Sequence, residues 1–224
     1  MTEKPQPFTA EFLADLIAGA GLPLPSGGVE KLLAFCAEML RWNRTHRLTA
    51  ITRPEEVAVK HILDSLLLLR FSPFPGRILD FGSGPGLPGI PLAVALPGTR
   101  VVLLESSGKK CAFLSHLRGR LSLTNVDVVR GRLAAGSRPP FPGTFEHIVT
   151  RATLPPGKAL PLLLPHLSPG GRILLMTGPG NAEGRGASGD ESRAAQAGAI
   201  AGRVERFPLP LEMGRREIRE YRPA

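Results

Sequence analysis

Two carboxylates and a run of glycines stand at spacings that could do chemistry. Asp80 closes the apolar run Ile78-Leu79 and opens Phe81-Gly82-Ser83-Gly84-Pro85-Gly86-Leu87-Pro88-Gly89. Glu105 closes a second apolar run, Arg100-Val101-Val102-Leu103-Leu104. Glycine lets a backbone turn sharply and approach a ligand that a Cβ would block. A helix that opens after such a turn offers unpaired N–H groups in its first turn. A carboxylate ending the next strand can accept two hydrogen bonds from a ribose diol. Together these residues suit a nucleotide-like cofactor held between strand ends.

Three glycine-loop templates compete for the stretch. The phosphate-binding loop needs a lysine and a hydroxyl residue after its last glycine, and no lysine follows here. The dinucleotide fingerprint needs Gly-x-Gly-x-x-Gly. Read from Gly82, the third glycine comes one residue early, at Gly86, and Leu87 takes the place of glycine. Pro85 also removes an N–H that a pyrophosphate would use. The third template, acid-x-Gly-x-Gly-x-Gly with a second acid after the next strand, is that of S-adenosylmethionine-dependent methyltransferases. Asp80 and Glu105 supply both acids. A glycine- and proline-rich turn that binds nothing is the plain alternative, and the paired acids weigh against it.

The elements that must position these residues follow from hydrophobic periodicity. It predicts strands near 77–81, 100–105, 125–130, 145–150, 171–177, 203–208 and 216–221. Helices are expected over 86–96, 108–121 and about 157–167, the last interrupted by Pro161 and Pro165. Strand–helix alternation with short connections means a parallel sheet covered on both faces. The closing pair of strands, turning around Leu209 to Gly214, gives an antiparallel edge. The expected fold is α/β: a Rossmann-like class I methyltransferase fold with a mostly parallel seven-stranded sheet.

Upstream, Phe8 to Arg70 reads as helical. Thr9 caps a first helix, Ser26 precedes a second, and Thr52-Arg53-Pro54-Glu55 has capping-box spacing for a third. Phe71-Ser72-Pro73-Phe74-Pro75-Gly76 looks like a joint. It divides an N-terminal helical extension, residues 1–72, from a cofactor domain, residues 73–224. Gly178 to Gly189 reads as a mobile loop, with an Ala-rich helix near 190–200 after it.

Ligands of open parallel sheets sit at the carboxyl ends of the strands. That rule selects Gly82, Ser83, Gly84, Gly86 and Leu87 after the first strand, and Glu105, Ser106 and Ser107 after the second. It selects Leu133 and Ala134, which could flank an adenine, after the third, Arg151 after the fourth, and Thr177 and Gly178 after the fifth. Arg151 could pair with the cofactor's carboxylate or a substrate phosphate; a salt-bridged rim residue is its plainer reading. His61, Asp64 and Ser65 invite a hydrolase reading, but helical spacing does not line them up as a relay. They are expected to form a polar patch joining the helices to the cofactor domain.

The chain of 224 residues carries a net charge of +9, from 28 Lys and Arg against 19 Asp and Glu. That excess favours a polyanionic partner such as nucleic acid. Arg41, Arg44 and Arg47, with Trp42 and His46 among them, and Lys109 and Lys110 are candidate contacts to an RNA backbone. No apolar run can cross a bilayer, and Met1 to Pro5 lacks a signal-peptide core, so a cytoplasmic protein without membrane contact is expected. It is also expected to be a monomer. Cys36 and Cys111 read as buried packing residues, and the five histidines lack ligand spacing, so no metal is expected.

One resemblance extends this reading. Trp42-Asn43, Leu48-Thr49-Ala50-Ile51, His61-Ile62-Leu63-Asp64-Ser65-Leu66, the loop from Asp80 through Leu92, Glu105-Ser106-Ser107-Gly108-Lys109-Lys110 and Thr150-Arg151-Ala152 fall in one order. In that order they resemble the bacterial RsmG family, also called glucose-inhibited division protein B. The resemblance covers about Glu30 to Gly178. It implies methyl transfer from S-adenosylmethionine to N7 of a guanosine in 16S ribosomal RNA, with the RNA or the small ribosomal subunit as partner. It further implies cofactor contacts at Gly82, Leu87, the Glu105–Ser107 turn, Leu133, Ala134 and Arg151. The chain departs from the family pattern at Arg47, where asparagine is usual, at Ala134, where many carry glutamate, at Thr177 for lysine, and at Glu105 for the commoner aspartate. The alternatives that remain are methylation of another RNA, a protein or a small molecule, or a nonenzymatic RNA-binding module. Glycine spacing disfavours an NAD oxidoreductase.

Overall fold

The computed structural model describes residues 9–151, 154–178, 192 and 194–224. Among them seven strands form one sheet: β1 (Arg77–Phe81), β2 (Arg100–Glu105), β3 (Val126–Arg130), β4 (Phe145–Arg151), β5 (Leu167–Thr177), β6 (Ala199–Pro208) and β7 (Arg215–Pro223). Their order is β3-β2-β1-β4-β5-β7-β6. β1 to β5 run parallel, and β7 lies antiparallel between β5 and β6. The near-continuous apolar runs of β1 and β2 reflect burial on both faces. Ile78, Val101 and Leu103 face one buried cluster, while Leu79, Val102 and Leu104 face the other.

Helix α1 (Ala10–Gly19) starts where Thr9 Oγ1 accepts from the Phe12 N–H at 3.1 Å and buries Leu13 and Ile17. Helix α2 (Gly28–His46) buries Leu32, Phe35, Cys36 and Met39, an apolar stripe at helical spacing. The cluster that holds these residues also holds Ile90, Phe113 and Ile218. Helices α5 (Gly89–Ala95), α6 (Gly108–Arg120) and α7 (Pro156–Leu163) connect the parallel strands. Among the described residues no helix is long and apolar enough to cross a membrane.

The third helical segment departs from the expected regular helix. The capping box at Thr52 does not form: α3 (Pro54–Val57) has Arg53 as its N-cap, with no side-chain cap. Pro54 sets this start, because proline suits the first helical turn and holds the preceding residue extended. The chain then widens into a π turn (Ala58–Leu63), returns to α4 (Asp64–Leu66) and tightens into a 3₁₀ turn (Leu67–Phe71). α5 begins at Gly89 rather than 86, because Gly86 sits at φ +96°. The helix expected to 167 ends at Leu163 in a 3₁₀ turn, Leu164–His166. β5 begins there, at Leu167. The Ala-rich stretch is helical only at 192 and 194–196 among its described residues. Gly198 at φ +74° ends it and β6 starts at Ala199. The loop expected at 178–189 lies, beyond Gly178, outside the described residues.

Arg47 shows why asparagine suits its position. It caps the C-terminus of α2 in the left-handed region, φ +49° and ψ +57°, and is exposed. Asparagine tolerates that conformation better than arginine. Arg47→Asn is expected to stabilise the chain by up to about 1 kcal/mol, raising the melting temperature by about 2–4 °C. A calorimetric scan that shows no rise would contradict this strain.

Candidate functional site

The glycine loop leaves β1 and folds over the end of β2. Gly82 N–H and Ser83 N–H both donate to Leu104 O, at 2.9 and 3.1 Å, and Gly86 N–H and Leu87 N–H return to Ser83 O at 2.8 and 2.9 Å. Gly82, Gly84 and Gly86 take φ of +74°, +56° and +96°. A Cβ built on Gly84 would meet only Gly82 O, at 3.9 Å, so open space lies above its backbone. A Cβ at Gly89 would run into Leu103 and Asp80, which explains why a helix can begin so close to β1 only with glycine there.

Glu105 ties the loop to the next turn. Its Oε2 accepts from Gly84 N–H at 2.9 Å and its Oε1 from Ser107 N–H at 2.7 Å. Ser106 Oγ lies 3.5 Å from the same Oε1. The carboxylate is buried, yet Oε2 keeps a lone pair beyond the N–H it accepts, and the long Ser106 contact leaves Oε1 room to exchange partners. Asp80 is fully buried beneath the loop. Its Oδ2 accepts from Gly89 N–H at 2.8 Å, whereas Oδ1 has no hydrogen-bond partner. Burial pushes its carboxyl up to about 7, against the Gly89 hydrogen bond and the Arg151 charge, which pull it down.

These features fit S-adenosylmethionine. The open backbone at Gly84 admits a ligand, Glu105 can accept the ribose hydroxyls, and the orphaned Asp80 Oδ1 needs a donor of the kind an ammonium supplies. Leu133 is half-buried beyond β3 and packs against the apolar cluster, while Ala134 beside it is exposed. Leu87 is buried and Ser106 and Ser107 are half-buried.

Arg151 ends β4 with its side chain 14% exposed. Nη1 donates to Lys60 O at 2.9 Å and to Asp64 Oδ2 at 3.1 Å. Burial lowers its pKa, opposed first by Asp64. Arg216, at the start of β7, also grips Asp64: Nε donates to Oδ1 and Nη2 to Oδ2, the latter at 2.7 Å. Asp64 is thus the joint between the helical segment and the sheet. Ser65 Oγ donates to the backbone O of His61 at 2.6 Å, away from any relay. His61 Nε2 lies 2.9 Å from Thr49 Oγ1, and burial with the Arg151 charge pushes the imidazole down to about 4. Sequence reasoning missed Arg216. Its partner stands 152 residues away, and the only signal was an arginine pair where an antiparallel strand starts at the parallel strands' carboxyl ends.

The basic candidates divide. Arg41 pairs with Glu38 at 2.6 Å, and the same oxygen lies 2.9 Å from His116 Nε2. Trp42 packs against Phe113 and His116, joining α2 to α6. Arg44, Arg47 and Lys109 are exposed and Lys110 is half-buried, and none of the four takes part in an ion pair among the described residues. No group of three His, Cys, Asp or Glu there could hold a metal ion.

The sheet order, the glycine loop and the two strand-end acids define an S-adenosylmethionine-dependent methyltransferase with a Rossmann-like fold. Solved methyltransferases share that fold. A methyltransferase from Aquifex aeolicus superposes with a TM-score of 0.58 at 17% identity, covering 75% of this chain and 93% of that one. One from Leishmania major gives 0.59 at 16%, covering 84% and 83%. The particular family comes from sequence. The family model described as rRNA small subunit methyltransferase G matches residues 28–197. A ribosomal RNA small subunit methyltransferase G from Anaeromyxobacter sp. (strain Fw109-5) is 37% identical over 212 residues, covering 92% of this chain and 94% of the relative. Another, from Xylella fastidiosa (strain 9a5c), is 46% identical over 146 residues, covering 65% and 67%. The chain belongs to the rRNA small subunit methyltransferase G family.

Proposed function

We propose that the chain transfers the methyl group of S-adenosylmethionine to N7 of a guanosine in 16S ribosomal RNA. The observation that carries the cofactor half is Glu105, held by the Gly84 and Ser107 N–H groups under open backbone. Family membership supports the RNA half. When bound, S-adenosylmethionine supplies a methyl on a cationic sulfur, which guanine N7 can take with an unshared pair and no proton to lose. The chain's residues therefore need only to bind, orient and exclude water. Glu105 accepts the ribose hydroxyls, Asp80 the ammonium, and Leu87 and Leu133 supply apolar contact for the base. Ser106, Ser107, Gly82, Gly86 and Ala134 complete the backbone wall. Arg151 orients cofactor or guanosine at the end of β4.

In this reading residues 1–72 are the substrate-facing extension and 73–224 the transfer domain. Arg44, Arg47, Lys109 and Lys110 meet RNA phosphates, and Arg41, half-exposed beside Glu38, meets them with the donors that pair leaves free. The A-form major groove is too deep and narrow for N7 to be reached, so the target is a nucleotide outside a regular duplex. The chain works as a cytoplasmic monomer, without metal. The test is labelled methyl transfer to small subunits from cells lacking the activity, beside wild-type subunits. Incorporation into the first alone is expected; equal incorporation into both would overturn the target.

A further inference from the structure

The end of β5 lies between Arg151 on β4 and the start of β7, because Arg151 pairs with Met176 and Met176 with Ile218. Asp64 reaches over this strand end from the helical segment and holds a guanidinium on either side. The carboxylate is fully buried, and the Arg151 and Arg216 side chains are 14% and 12% exposed. Two cations share this one bridging carboxylate. Buried guanidiniums this close stay together only while the carboxylate lies between them. The π turn adds a second hold on Arg151. It presents Lys60 O, which accepts from Arg151 Nη1 at 2.9 Å and lies 3.1 Å from His61 Nδ1. Thr49 fixes the other side of that imidazole and itself donates its N–H to Asn43 Oδ1 at 2.9 Å. A mid-helix π turn commonly marks a functional position.

We propose that Asp64 is a positioning residue for methyl transfer: it fixes the Arg151 guanidinium at the end of β4, and Arg216 holds the carboxylate in place. The helical segment thereby forms part of the transfer site itself. This rests on the reading of Arg151 as the residue that orients cofactor or guanosine. In Asp64→Asn the two guanidiniums lose the carboxylate that bridges them, and Arg151 moves. Arg216→Gln leaves Asp64 and Arg151 as a simple pair, so it costs less. Asp64→Asn with Arg216→Gln removes the repulsion and recovers part of the loss.

The test uses the full chain, with S-adenosylmethionine affinity, kcat and KM measured for small subunits from cells lacking the activity. Asp64→Asn is expected to lower kcat about a hundredfold, the scale of a misplacement near 1 Å, with KM for subunits unchanged. The double variant is expected to have a higher kcat than Asp64→Asn. A folded Asp64→Asn with wild-type kcat and only a lower melting temperature would overturn the proposal, as would a double variant no better than the single. If Asp64→Asn does not fold, Arg216→Gln decides: a kcat lowered at constant KM supports positioning, and an unchanged kcat overturns it. Wild-type chain is the control. Its failure to methylate would strike the proposed function, whereas undiminished transfer by the variants strikes only the role of Asp64.

Discussion

Gly84→Val is expected to abolish S-adenosylmethionine binding while leaving the chain folded. Nothing but Gly82 O at 3.9 Å lies near a Cβ at this position, so the first carbon of the valine side chain meets no packing obstacle. Its methyls fill the space through which a ligand must approach the backbone. The remaining cost is conformational, since φ is +56° and an L residue there loses about 1–2 kcal/mol. The melting temperature should fall by several degrees and no further. Gly89→Ala should instead lower stability first and weaken binding only in part, through Asp80. Its Cβ would lie 2.6 Å from Asp80 Oδ2 and against Leu103. That overpacking costs about 1–3 kcal/mol of stability and displaces Asp80. Calorimetric titration and thermal melts of both variants separate the two roles. A folded Gly84→Val with unchanged affinity would refute the placement of the ligand over this loop.

Affinity for S-adenosylmethionine is expected to fall as the pH drops below 7, because in the proposed reading Asp80 must be ionised to accept the cofactor's ammonium. Burial holds its carboxyl at about 7 in the free chain, and a cation beside Oδ1 would lower it again. Binding then releases a proton, and affinity drops about tenfold per pH unit from about 7 down to the pKa of the bound state. Asp80→Asn should lose about 1.5–3 kcal/mol of binding and flatten the profile. Binding is the better readout than stability. The raised Asp80 pKa makes the free fold more stable as pH falls from 7 toward 4. Over the same fall, His61 and His147, both pushed down to about 4, make it less stable. A wild-type affinity constant from pH 8 to 5.5 would contradict the role given to Asp80.

The parts legible in the sequence are those fixed by local pattern. β1 and β2 fall where their apolar runs do, and Thr9 caps α1 as its spacing predicts. The Glu105 contact to the loop follows from parallel pairing of β1 with β2, which brings any strand-end acid beside the preceding turn. What the sequence concealed depends on distant partners or on backbone geometry without a residue signature. Arg216 meets Asp64 only because β7 inserts antiparallel beside β5. The π turn at Ala58–Leu63 carries no composition that separates it from an α-helix. The Thr52 cap failed because Pro54 imposes a stronger local constraint than the Thr–Glu spacing. Arg41 read as an RNA contact in a basic stretch, yet it also pairs with Glu38 one turn back on α2, while packing of α2 on α6 sets the neighbouring Trp42 against Phe113.

The most direct measurement is the identity of the methylated nucleoside. Small subunits from cells lacking the activity are incubated with the chain and labelled S-adenosylmethionine, and their 16S RNA is digested and separated by mass. All label in 7-methylguanosine, from one position, is the predicted result. Label in another nucleoside, or in ribosomal protein, would contradict it.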